Sequence, residues 1–152
     1  MEESAESLAI ERAMKIEDDL IGQYRGMTDT VSLQNLREFL GRFTQGNETV
    51  RNELRKLLEH RPEDERDIGE DLVYLHSSEH LELEESVDVS SLRDLLLYIS
   101  TMERRSLDEL EEVKQSLSDP GTLERFGRII REKEKMKTRA DRIYNDIVQG
   151  SY

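Results

Sequence analysis

The chain has 152 residues, of which 35% are apolar and 38% charged, with a formal net charge of −13. It contains no cysteine, which excludes disulfides, zinc–thiolate sites, thiol catalysis and iron–sulfur clusters, and its acidic balance repels a nucleic-acid backbone or an anionic membrane. Two prolines, 5% aromatics and no tryptophan leave few turn and strand formers, so a single all-α domain over residues 1–152 is expected.

No stretch reaches the apolar length of a membrane span, and the start MEESAESLAIERA is acidic where a signal peptide would be basic. A cytoplasmic protein is therefore expected. The spacing predicts a first helix over residues 5–26. Ile10, Ala13, Met14, Leu20, Ile21 and Tyr24 recur at steps of three and four as one stripe, with Glu17 in its middle. Gly26 ends this helix, and Thr28–Asp29–Thr30 reads as a loop. Ser32 can cap a second helix over 33–59. There Leu36, Leu40, Phe43, Asn47, Val50, Leu54 and Leu57 form an unbroken seam whose one polar member is Asn47. Gly41 and Gly46 within it read as close-packing points or tolerated weaknesses.

Residues 60–90 change character, with His60–Arg61–Pro62, a charged run and then LVYLHSSEHLEL. The stretch is too long for a hairpin turn and reads as a crossover holding one short helix. Its His76 and His80, with Glu79 between them and Glu82 and Glu84 beyond, would share a helical face as zinc pairs do. No glutamate follows the first histidine directly and no third histidine is near, so solvated polar residues are the expected reading. His60 suits the end of the second helix through the helix dipole.

A third helix over 91–117 opens with Ser91 and Asp94, a capping-box-like start. Leu96, Ile99, Ser106, Leu107 and Leu110 form its stripe, and Glu103 stands at the centre. Leu95–Ile99 is apolar nearly all round, so a second face is expected to be covered. Asp119 can cap the fourth helix, over 121–147, with Pro120 at its start. Its seam is Phe126, Ile129, Ile130, Met136, Ala140, Ile143 and Ile147, and Lys133 lies on it. Met14, Met102 and Met136 read as core filler.

Two helix pairs with short turns and one long connection make a four-helix bundle with a single crossover. Sliding the sequence by 86 residues sets Glu17 on Glu103, Glu38 on Glu124, Gly41–Arg42 on Gly127–Arg128, Phe43 on Ile129 and Glu48 on Glu134. The chain reads as a duplicated helical hairpin. A carboxylate on a core stripe is costly unless paired or bound to a cation, so two at matching places suggest a purpose or the relic of one.

On these residues the chain resembles the ferritin-like superfamily, and the rubrerythrin-type domain in particular. That resemblance implies two iron or manganese ions, held by a lone glutamate on helices one and three and a Glu-x-x-His on helices two and four. Glu17 in MKIEDDLI and Glu103 in STMERRSL match the lone glutamates. The Glu-x-x-His positions fall instead at Asn47 and Val50, and at Lys133 and Met136. The Lys133 ammonium would sit where a cation should be, so a buried polar cluster of Glu17, Asn47, Glu103 and Lys133 is expected in place of metal. One lysine cannot balance two carboxylates. One glutamate is then expected to be protonated or to recruit an arginine or tyrosine.

Glu48 and Glu134 lie one place off their seams. A small helix rotation would bring them beside Glu17 and Glu103 as an all-carboxylate metal site, although surface glutamates are the ordinary reading. No glycine-rich phosphate loop and no setting for a hydrolase triad is present. The expectation is a ferritin-like bundle without its di-metal centre and without catalytic residues, serving as a scaffold or binding a protein partner. The Leu95–Ile99 turn and the resemblance together imply a homodimer. The alternative is a di-iron or di-manganese protein handling peroxide, oxygen or iron. An acidic mimic of nucleic acid would need an anionic stripe on one face, whereas Arg and Lys read as interspersed throughout.

Overall fold

A computed structural model describes residues 4–32, 34–61 and 89–149. His76, His80 and all but the ends of the expected 60–90 crossover lie outside the described residues. Helix α1 spans Ala5–Thr30, α2 Gln34–Leu58, α3 Val89–Lys114 and α4 Pro120–Val148. No strand occurs among the described residues, and none of the helices is long and apolar enough to cross a membrane.

The helix ends follow from local hydrogen bonding. Ser4 caps α1 by accepting from the Ser7 amide at 3.0 Å. The helix does not stop at Gly26 but continues to Thr30. Gly26 terminates nothing, because the Thr28 and Thr30 hydroxyls donate back to Tyr24 O and Met27 O, both at 2.8 Å, and extend the last turn. Helix α3 begins two residues before Ser91, which places the expected cap within its first turn. It ends at Lys114, and i→i+3 bonds carry the chain on to Leu117. Asp119 caps α4 by accepting from the Thr122 amide at 3.0 Å, with Pro120 as the first helical residue.

At the end of α2, Arg61 N bonds Lys56 O at 2.8 Å and His60 N bonds Leu57 O at 3.2 Å. This is a Schellman motif, whose turning residue is ordinarily glycine. Here it is His60, at φ 57°.

The four helices stand at the corners of a square. α1 packs on α2, α3 on α4, α1 on α3 and α2 on α4. Cross-helix contacts set their directions. Arg12 pairs with Glu112 and Tyr98 bonds Gln23, so α1 and α3 are antiparallel. Asp18–Arg51 and Arg25–Glu48 do the same for α1 and α2. Asn47–Lys133 and Arg61 O–Arg125 Nη1 do so for α2 and α4. The end of α2 therefore lies beside the start of α4. Helix α3 begins at the opposite end of the bundle, where Met27, Val31, Leu36, Leu95 and Tyr98 line one cleft.

Every apolar residue of the four expected stripes is buried except Met14, which is half-buried. Each large side chain so placed contributes about 1.5–3 kcal/mol against the ordering entropy. Within the Leu95–Ile99 turn, Leu97 is 49% exposed.

Left-handed backbone at a non-glycine residue costs about 1–2 kcal/mol, of which glycine's extra freedom in the unfolded chain gives part back. His60→Gly should therefore raise unfolding stability by about 0.5–1 kcal/mol in urea titrations. An unchanged midpoint would mean that the His60 side chain compensates through contacts of its own.

Candidate functional site

Four polar side chains lie fully buried at mid-bundle, one from each helix: Glu17, Asn47, Glu103 and Lys133. Each occupies a core position of its stripe, so helical phase alone drives it inward. The Lys133 ammonium is at the centre. Its Nζ is 2.8 Å from Glu17 Oε1, 3.0 Å from Glu103 Oε2 and 2.6 Å from Asn47 Oδ1. Three acceptors thus meet a group with three protons. Only the bond to Asn47 is well aligned; the two carboxylate contacts are oblique ion pairs.

Asn47 turns its amide the other way. Nδ2 donates to Glu103 Oε1 at 2.8 Å and to Phe43 O at 2.9 Å. The Tyr24 hydroxyl donates to the same Glu103 Oε1 at 2.9 Å. Glu103 thereby has Lys133, Asn47 and Tyr24 around it. Glu17 has Lys133 alone, and its Oε2 meets no hydrogen-bond donor among the described residues.

The positions that coincide on the 86-residue slide account for most of this geometry. The slide relates Glu17 to Glu103 and Asn47 to Lys133, so Glu17–Lys133 and Glu103–Asn47, both at 2.8 Å, are the same contact in the two halves. Tyr24 breaks the equivalence, because the matching position on α3 is Leu110. A hydroxyl reaches Glu103 where only a hydrocarbon reaches Glu17.

Burial and the mutual charges set the ionisation of the cluster. Burial pushes the Glu17 carboxyl up from 4.5 to about 7, Lys133 partly offsets this, and the Glu103 charge adds to it. Burial alone would lower the Lys133 ammonium, but the charges of Glu103 and then Glu17 overcome it and the net shift is upward. Burial, followed by the Glu103 charge, raises the Tyr24 hydroxyl well above 10.0. With a proton on Glu17, one cation faces one anion and the cluster is neutral.

Glu48 and Glu134 are not brought into this site. Helical phase places each one step past the inward residue. Glu48 pairs with Arg25 across the α1–α2 surface, and Glu134 is exposed beside Arg131 and Lys135. No group of three or more His, Cys, Asp or Glu that could hold a metal occurs among the described residues. The donor set does not fit a di-iron or di-manganese centre. It offers two carboxylates and one amide oxygen, without imidazole, and all three already converge on an ammonium. Tyr24 is the one member whose place in the cluster was hidden, because its spacing made it look like an ordinary core aromatic.

Removing Lys133 leaves two buried acids without a cation. Lys133→Met should cost about 3–5 kcal/mol at pH 8, with the loss shrinking at pH 5 as carboxyls take up protons. Glu17→Gln, by contrast, should stay within about 1 kcal/mol of the parent at pH 8. Equal losses in urea unfolding would contradict the asymmetry.

The raised Glu17 value means that the folded chain holds this proton more tightly than the unfolded chain. Its contribution to stability is present below pH 4.5, declines as pH rises and is lost above about 7. The difference between parent and Glu17→Gln across that window should be on the order of 3 kcal/mol. Tyr24 and Lys133 add losses of the same sign only in the alkaline range. Parallel pH profiles for the two proteins would place the proton elsewhere.

Compared with protein-family models, curated proteins and solved structures, the chain finds no match in any of the three.

Proposed function

We propose that this chain is a ferritin-like bundle whose di-metal centre has been replaced by an internal ion pair, and that it serves as a structural or partner-binding protein, most simply as a homodimer. The observation that carries this reading is Lys133 Nζ at the meeting point of Glu17, Glu103 and Asn47. A bound cation would draw on the same oxygens, and the protein supplies that cation from its own fourth helix.

Two further features support the family reading. The acids come from equivalent places in the two halves of a repeat. The second and third helices also leave and enter the bundle at opposite ends, as a hairpin pair joined by a long crossover requires. A general base needs both a shifted proton affinity and access to its substrate. Glu17 has the shifted proton affinity such a group needs, but it lies fully buried against Lys133.

Metal analysis of chain purified without affinity tags or chelators should find well under one iron or manganese per chain. Added Fe(II) or Mn(II) should leave the thermal midpoint unchanged. Two equivalents of either metal, lost on Glu17→Ala, would instead establish a divergent metal centre and overturn the proposal.

A further inference from the structure

Charge is unevenly shared among the helices. Helices α1 and α3, which pack together, carry seven Lys and Arg against twelve Asp and Glu. Helices α2 and α4 carry thirteen Lys and Arg against eight Asp and Glu. This corrects the expectation that basic residues are interspersed throughout: one side of the bundle is acidic and the opposite side basic. The four helices together come out neutral. The net −13 of the chain arises almost wholly elsewhere, because residues 62–88 hold eleven Asp and Glu and a single arginine, Arg66.

We propose that the face formed by α2 and α4 is a docking surface for the chain's own residues 62–88. The path of the chain limits the choices. These residues leave the end of α2 beside the start of α4 and must reach the start of α3 at the opposite end of the bundle. Helix α2, 25 residues long, sets the distance at roughly 37 Å. The 27 residues from 62 to 88 cover roughly 40 Å as helix and over twice that when extended, so either form can make the journey.

At α2 the segment has two faces beside it. Leaving aside the buried Glu17, Glu53 and Lys133, helices α1 and α2 together carry eight basic groups against seven acidic ones. Helices α2 and α4 together carry twelve against seven. Coulombic energy favours the second for a segment of net charge −10. The outer side of α4 includes a groove lined by Arg131, Lys135, Arg139 and Arg142, with Glu134 the one acid among them.

Individual surface ion pairs are weak and screened by salt. Tethering at both ends changes the balance, because the segment is held at high effective concentration over the face and many weak pairs act together. The docking also shields a basic surface that would otherwise draw external polyanions. It is independent of the reading of the buried cluster, since neither depends on the other's residues.

Zero-length carbodiimide coupling of the full chain, followed by peptide mapping, tests the docking directly. The chain has six lysines: Lys15 on the acidic side, Lys56 on α2, Lys114 on α3, the buried Lys133, and Lys135 and Lys137 on α4. Carboxylates of 62–88 should couple to Lys56 and Lys135 within monomers, with yields falling at least threefold in 0.5 M salt. The same protein should pass heparin unretained at about 0.15 M salt. Coupling chiefly to Lys15, or to no lysine at all, would overturn the proposal. So would links found only in cross-linked dimers, which would make a second copy the occupant, and so would retention on heparin, which would show the face open.

Discussion

One ammonium group ties the four helices together. Lys133 extends from α4 to Asn47 on α2, Glu103 on α3 and Glu17 on α1, the last across the diagonal of the square. Elsewhere in the core the helices are held by apolar burial, which is strong but indifferent to register. The polar contacts are directional. A shift of one turn along any helix, about 5.4 Å, would strand a charge in hydrocarbon, and that penalty fixes the axial alignment of the bundle. By the same logic such a cluster adds less net stability than a well-packed apolar layer would. Its physical role is to select one arrangement.

The internal repeat gives the cluster its shape, and the departures from the repeat give it its charge state. Equivalent positions in the two halves supply Glu17 and Glu103, then Asn47 and Lys133. Two acids and two lysines would have balanced, as would two acids and a divalent ion. An asparagine and a lysine leave one negative charge in excess. Glu103 gathers donors from Tyr24 and Asn47 as well as Lys133, whereas Glu17 has Lys133 alone and burial raises its proton affinity toward neutrality.

Much of the fold was legible because helical periodicity is a direct consequence of burying one face. The four stripes, the inward phase of Glu17, Asn47, Glu103 and Lys133, and the Asp119–Pro120 start of α4 all follow from spacing and capping chemistry. Helix ends were less legible. Gly26 looked like a stop but lies within a turn that Thr28 and Thr30 extend by side-chain bonding, and Ser91 looked like a cap but lies inside α3. Tyr24 was hidden for a different reason: an aromatic on a core stripe gives no sign of which atom its hydroxyl meets until the facing helix is in place. The division of charge between the two sides was also hidden, because it depends on which helices are neighbours. His60 was legible as the end of α2, but its left-handed backbone, a position made for glycine, was not.

The central claim is that the bundle supplies its own cation at the point where the acids converge. Crystals grown with excess Mn(II) at pH 8 and measured for anomalous scattering test this most directly. The account predicts no anomalous peak at mid-bundle, with Lys133 Nζ still within hydrogen-bonding distance of Glu17, Glu103 and Asn47. A manganese peak between the two glutamates, with the Lys133 side chain displaced from the core, would contradict it.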